Sequence, residues 1–194
     1  MRKWLVAIVI FVLVSNVCFA RLGEDKKQII ARYGGDFQGE PSKNPNFAWK
    51  MQFGSTQDPA KNDPLEISVY LDENDVCQEI AYVFSFQKFQ FHKDENIEEA
   101  KKTVYDLLEK NSQGGKWGEG QAQARSESEF HRNEAIKSFM SVTWTRSDGG
   151  IATWSRMGPQ LTITSGQAAR KKQKGQDEKK LRDELQKKGA LGNL

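Results

Sequence analysis

An α+β fold, with an antiparallel meander sheet of about six strands and two helices on one face, follows from three features of the sequence. Runs such as Leu65–Leu71 alternate apolar and polar side chains with the period of a half-buried strand. Two other stretches carry a single apolar stripe at helical spacing. Short links rich in turn formers join consecutive runs, which makes neighbouring strands antiparallel.

Residues 1–20 precede that fold. Arg2 and Lys3 form a positive start, Trp4–Val14 an unbroken apolar run of eleven residues, and Ser15–Ala20 a more polar end closing on a small residue. This is the three-part layout of a secretory signal, with cleavage expected after Ala20. The rival is a retained anchor, but eleven apolar residues fall short of the roughly 20 that span a hydrocarbon core. Acylation of Cys18 is a further alternative; the preceding Ser15-Asn16-Val17 lacks the leucine and the small residue of a lipoprotein signal. The expectation is an exported chain, periplasmic or extracellular, without stable membrane insertion once the signal is removed. Cleavage leaves Cys77 without a cysteine partner in the chain, so stability rests on packing and Cys77 is expected to be buried.

The folded part is expected over residues 21–165. Leu22–Gly34 reads as a short helix: Leu22, Ile29, Ile30 and Tyr33 share a stripe, acids sit in the first turn, and Gly34 stops it. After a Gly- and Pro-marked loop come three alternating runs, Phe47–Phe53, Leu65–Leu71 and Cys77–Phe86, the last two joined as a hairpin by Asp72-Glu73-Asn74-Asp75. From the N-cap Asp94, the apolar positions Ile97, Ala100, Val104, Leu107 and Leu108 describe a second helix ending near Asn111. Ser112–Glu134 reads as loop. Phe139–Arg146, Ile151–Arg156 and Leu161–Ser165 follow as strands, the first two joined through Asp148-Gly149. One helix and three strands, twice over, suggests an αβββ-αβββ arrangement, although no matching residues are visible between the halves. Both helices then pack on one face, and Lys50, Gln52, Glu66, Ser68, Tyr70, Thr143, Thr145, Thr162 and Thr164 lie on the solvated one.

The composition is 37% hydrophobic and 28% charged, with a net charge of +3. The charge is unevenly placed. Gly166–Leu194 holds nine Lys or Arg against four Asp or Glu, and with Arg2 and Lys3 set aside Arg21–Ser165 carries −4. A mildly acidic body excludes a nucleic-acid platform. Residues 166–194, with only a thin leucine stripe, are expected to form a charged, disordered tail.

No reaction centre is visible. Cys77, His92 and His131 fall at no metal-ligand spacing, so neither metal nor cofactor is expected. A Cys77–His pair gives an alternative reading as a hydrolase of unrecognised type, but nothing at a strand start lowers the thiol pKa. The carboxylates Glu98-Glu99 and Asp72–Asp75 read as solvated charge. Asn111–Gly118 lacks the spacing of a phosphate loop and follows a helix, whose C-terminus repels anions. Trp117 in that segment either tucks back against the domain or offers an exposed contact. Trp49, Trp144 and Trp154 sit at core parity, which favours packing over a carbohydrate-binding strip.

Arg21-Leu22-Gly23, Gln28, Arg32-Tyr33-Gly34, Leu107–Gly114 and Trp117 together resemble a family of small exported bacterial proteins of planctomycete and verrucomicrobial type. The resemblance covers most of the chain behind residue 20, implies export and carries no assigned activity. The helix-then-meander order, with Leu22-Gly23 and Tyr33-Gly34, is also similar to BamE-type outer-membrane assembly lipoproteins and to domains of the beta-lactamase-inhibitor-protein type. That likeness implies helices set against one side of an antiparallel sheet. Neither resemblance transfers a functional residue.

The expected function is therefore a non-enzymatic binding module whose partner is a protein or a component of the cell envelope. Its candidate interaction surface is the solvated sheet face with the Gly114–Gly120 loop, represented by Tyr70, Trp117, Thr143 and Thr145.

Overall fold

The computed structural model describes residues 21–33, 38–54, 65–85, 94–112, 115–122 and 140–191. The expected export signal, His92 and His131 lie outside them. Alternation and turn chemistry produce one open antiparallel sheet of eight strands: β1 Gln38–Pro41, β2 Trp49–Gly54, β3 Glu66–Leu71, β4 Cys77–Val83, β5 Gln121–Ala122, β6 Ser141–Thr145, β7 Ile151–Ser155 and β8 Gln160–Thr164. The helices are α1 Lys26–Tyr33, α2 Asp94–Lys110 and α3 Gly166–Leu191. The expected six strands are thus corrected to eight. The two additional ones are the sheet's edges, β1 against β2 and β5 against β6. They are short and lie in Gly-, Pro- and Gln-containing stretches without apolar alternation, which is how edge strands avoid recruiting further chains.

The spatial order is β1-β2-β3-β4-β8-β7-β6-β5, two four-stranded meanders joined by the antiparallel β4–β8 pair. The register aligns Met51, Val69, Ile80, Ile163, Ala152 and Trp144 in one row, and Phe53, Ile67, Tyr82, Leu161, Trp154 and Val142 in the next. Apart from the partly buried Ile67, every one of these side chains is buried in a core that also takes Ile29 of α1 and Ile97, Ala100, Val104, Leu107 and Leu108 of α2. Tyr33 of α1 stacks 4.5 Å from Phe53, and Tyr105 of α2 meets Trp144 edge-on at 5.9 Å. Full burial of rings such as Phe53 and Trp144 stabilises the fold by about 2–3 kcal/mol each.

Local chemistry sets the element ends. Asp25 Oδ1 accepts from the Gln28 amide at 2.8 Å while Gln28 Oε1 accepts from the Asp25 amide at 2.9 Å, a capping box that starts α1. Glu24 and Asp25 thus precede the helix instead of occupying its first turn, and no acid lies in that turn. In the β6–β7 hairpin Gly149 adopts φ +88°, a left-handed conformation available to glycine at little cost. Asp148 Oδ1 accepts from the Gly150 amide at 3.0 Å and closes the turn.

Residues expected to be a disordered tail instead begin as α3. Ser165 is its N-cap, with Oγ accepting from the Ala168 amide at 3.1 Å and donating to Gln78 Oε1. Ala168 and Ala169 are buried, so packing extends beyond the expected boundary at residue 165. Two small residues are a hydrophobic contact that a search for leucine stripes does not see. Gly166 marks the closest approach, since a Cβ there would collide with the backbone carbonyl of Asp148. From Gln173 to Lys187 the helix is exposed.

Four placements differ from those expected. Phe47 precedes β2 and stacks 5.2 Å from Tyr70, away from Met51 and Phe53. Trp49 has core parity but lies at the sheet's end, 37% exposed, with Lys26 Nζ 5.0 Å above its ring. Ser68 and Thr164, expected in solvent, are buried.

Candidate functional surface

The side chains opposite the core form the surface on which a function rests. One row runs Lys50, Tyr70, Glu79, Thr164, Ile151, Thr145 from β2 to β6. The adjacent row runs Gln52, Ser68, Ala81, Thr162, Thr153, Thr143. Period-two geometry puts both on the same face.

The first row is charged at one end and partly covered. Lys172 of α3 forms an ion pair with Glu79, which also accepts from Thr164 Oγ1 at 2.7 Å. The same ammonium lies 5.4 Å over Phe47. Beside it, Tyr70 has its phenol pKa raised, first by burial and then by the charges of Glu79, Glu66 and Glu40. These contacts attach the first two turns of α3 to the polar face, where Glu79 is buried beneath them.

The second row carries no charge. Thr143, Thr153 and Thr162 are half-buried, Gln52 is exposed, and Ser68 and Ala81 are recessed. Thr162 Oγ1 accepts from Gln160 Nε2 at 3.0 Å, and Ser68 Oγ donates to Glu66 Oε1 at 3.0 Å.

Of the four expected interaction residues, Tyr70, Thr143 and Thr145 share this face. Tyr70 on β3 is nevertheless four strand spacings from Thr143 on β6, roughly 19 Å. Trp117 is on the other side. Its Nε1 donates to the Leu108 carbonyl at 2.7 Å, and the Arg146 guanidinium lies 5.1 Å over its ring. The 115–120 stretch is bound along β6, with the Gly118 amide donating to the Thr145 carbonyl at 2.9 Å and the Ser147 amide to the Lys116 carbonyl at 2.9 Å. The indole tucks back and finishes α2.

Arg146 completes that helix end, a feature the sequence reading missed. Its Nη1 donates to the Asn111 carbonyl at 2.6 Å, while Nε and Nη2 grip Asp148 at 2.8 and 2.9 Å. Asn111 Nδ2 donates to the Leu107 carbonyl at 2.9 Å and to Tyr82 Oη at 3.3 Å. Carbonyls left unpaired where a helix stops thereby receive donors from Asn111, Trp117 and Arg146. An arginine adjoining a strand, three residues ahead of a turn glycine, was the only available signal.

Cys77 is completely buried, and its Sγ approaches the Glu79 carbonyl at 3.8 Å. Burial pushes the thiol pKa well up, and the charge on Glu24 adds to the effect. That is the opposite of what activates a nucleophile. Among the described residues no group of three or more His, Cys, Asp or Glu is arranged to hold a metal ion. A hollow of about 90 Å³ beside the β3–β4 turn, with Asp72, Gln78 and Lys171 in its lining, is small against the several hundred Å³ of an ordinary ligand pocket. A depression of about 450 Å³ is lined only by α3 residues such as Arg170, Asp177 and Leu181 and encloses little. No helix among the described residues is long and apolar enough to cross a membrane.

Compared with known proteins, the chain matches no family model, no curated protein and no solved structure.

Proposed function

We propose that this chain is an exported, non-enzymatic binding module that holds a component of the cell envelope on the polar face of its sheet. The observation that carries the proposal is the uncharged row from Gln52 to Thr143, six strands wide, on the face opposite the one that enters the α1–α2 core. A sheet supported from behind by a packed core is rigid, and rigid elements lose little entropy on binding. The signal-like layout of Met1–Ala20 supports export. Thr143 and Thr145 belong to the proposed surface, and Tyr70 to its charged margin. Trp117 contributes by fixing the end of α2.

Binding of an envelope fraction to the immobilised chain tests this reading. Thr143→Lys with Thr145→Lys is expected to abolish retention, and Trp117→Phe to preserve it at temperatures where the variant stays folded. Retention indifferent to the two lysines would remove the sheet face from consideration. The competing hydrolase reading, with Cys77 as nucleophile, predicts turnover of ester or peptide substrates that a thiol reagent abolishes.

A further inference from the structure

We infer that cleavage between Ala20 and Arg21 builds a structural ion pair: the α-ammonium it creates on Arg21 seats on the Glu24 carboxylate and fixes the start of the fold. The inference rests on the export part of the reading above. The Arg21 nitrogen is already aimed at that carboxylate, donating to Glu24 Oε2 at 3.2 Å. The Glu24 amide donates back to the Arg21 carbonyl at 3.2 Å. This closes a tight turn in which Gly23 takes φ +83°, a left-handed conformation that suits glycine.

The surroundings hold that geometry in place. Leu22, next to Arg21, is buried in the core. The Gly23 amide donates to the Cys77 carbonyl and the Cys77 amide to the Glu24 carbonyl, both at 2.9 Å, and Asp25 bridges Val76. Residues 21–25 are thereby attached to the start of β4. From α1, Arg32 Nε donates to Glu24 Oε2 at 3.2 Å and its Nη2 donates to Oε1. The Glu24 side chain is only 11% exposed. An ammonium on Arg21 therefore enters a hydrogen bond that already exists, at a carboxylate already oriented and largely withdrawn from water.

Before cleavage the Arg21 nitrogen is an uncharged amide with a single N–H. A signal peptidase hydrolyses the Ala20–Arg21 bond with one water. The carbonyl carbon leaves as the Ala20 carboxylate, and the nitrogen becomes an ammonium at neutral pH. Its bond to Glu24 is then charge-assisted, which makes it roughly twice as strong as a neutral one. Position matters to within a residue. The chain spans up to about 3.3–3.6 Å per residue, so a terminus at Phe19 can carry its charge about 7 Å away. A terminus at Leu22 removes the donor nitrogen. The charges facing the pair are Glu24 and Arg32. In β4, burial raises the pKa of Cys77 and of Tyr82, and the charge on Glu24 adds to both.

The test compares chains that begin at Phe19, Arg21 and Leu22, each released from an N-terminal fusion by a protease that leaves no extra residue, with an Nα-acetylated form of the Arg21 chain. In denaturant unfolding at neutral pH the Arg21 chain should be the most stable, and acetylation should lower its folding equilibrium constant about fivefold. An amine whose folded pKa is raised stabilises fully below its unfolded value of about 7.7–8.0 and loses that contribution as pH rises through the folded value. The gap between free and acetylated chains should therefore close by about pH 10, and the comparison cancels the titration of Cys77 and Tyr82. Glu24→Gln should erase the gap where it folds, and the closing at high pH carries the same information where it does not. No gap at neutral pH, a gap that persists at high pH, or a Phe19 or Leu22 chain more stable than the Arg21 chain overturns the pairing. Terminal sequencing of the product exported from the complete precursor separates this from export itself, with a terminus at Arg21 expected. That terminus without a gap leaves export standing and ends the pairing. A gap with a terminus elsewhere shows that cleavage does not build the pair, and a precursor retained uncut ends the export reading and the inference together.

Discussion

Arg146 is buried at the junction of three elements, and its guanidinium has a defined task toward each. It closes the end of α2 through the Asn111 carbonyl, fixes the hairpin through Asp148 and stacks on Trp117. A lysine cannot reproduce a planar fork with donors in two directions. Arg146→Lys should therefore destabilise by about 2–3 kcal/mol in denaturant melts, towards the lower end for a buried pair because Asp148 is partly exposed. The same pair couples stability to pH. Arg146, hydrogen-bonded to Asp148, holds that carboxyl below its usual range against a smaller opposing effect of burial. A depressed folded pKa stabilises above the unfolded value of about 3.9 and is lost as pH falls through the folded one. Stability should consequently decline below about pH 4, and Asp148→Asn should flatten that decline while lowering the plateau at neutral pH. An unchanged acid limb in Asp148→Asn would assign the effect elsewhere. Cys77 makes a second prediction at this scale. A thiol with no exposed surface should react with a disulfide reagent only as fast as the protein unfolds. Rapid labelling of the folded protein would reopen the nucleophile reading.

Among the elements, α3 departs furthest from expectation. Its leucines, Leu181 and Leu185, are the visible hydrophobic signal and both are exposed. The residues that attach it, Ala168, Ala169 and Lys172, fall on one helical stripe but are too small or too charged to read as an apolar one, and the Glu79 that Lys172 meets is 93 positions away. Sequence periodicity reports a helix's own face, whereas this docking depends on one partner placed by the sheet. The helix should consequently divide into two energetic parts. Among the described residues, removing 176–194 deletes only exposed side chains, and it should leave the melting temperature nearly unchanged. Lys172→Met leaves Glu79 charged and buried, and should cost about 2 kcal/mol, less than a fully buried pair because the lysine is partly exposed. Adding Glu79→Gln should restore most of that loss. A double variant no more stable than the single one would show that the ion pair is not what holds α3 down.

For the whole molecule, the legible part was what repeats with a short period. The interiors of β2, β3, β4 and β6–β8, the α2 stripe and the Asp148-Gly149 turn follow from alternation and turn chemistry alone. The correspondence between the two four-stranded meanders was not legible, and the register explains why: a two-fold axis through the Ala81–Thr162 pair exchanges them. Positions exchanged by the two-fold axis share polarity without identity: Ile80 corresponds to Leu161, Tyr82 to Ile163, Val69 to Trp154 and Phe53 to Trp144. Packing constrains the joint volume of such residues and leaves each identity free. The candidate surface was half legible. Thr143 and Thr145 could be assigned to the polar face by parity, but the continuity of the uncharged row depends on β4 joining β8, a pairing between strands far apart in sequence. That pairing also governs how the protein unfolds. Neither meander owns a complete core, because Tyr82 and Leu161 lie side by side across the junction and both belong to the cluster that α1 and α2 enter. Separation would expose the inner edges of β4 and β8 along with that apolar surface. Thermal or denaturant unfolding should therefore be a single transition. Tryptophan fluorescence weighs the second half through Trp144 and Trp154, whereas far-ultraviolet circular dichroism averages over both. The two curves should superimpose, and Ala81→Pro, which places a proline in a central strand, should abolish both signals together. A fluorescence transition that survives in Ala81→Pro, or one displaced from the dichroism curve in the parent, would mean that the second meander folds without the first.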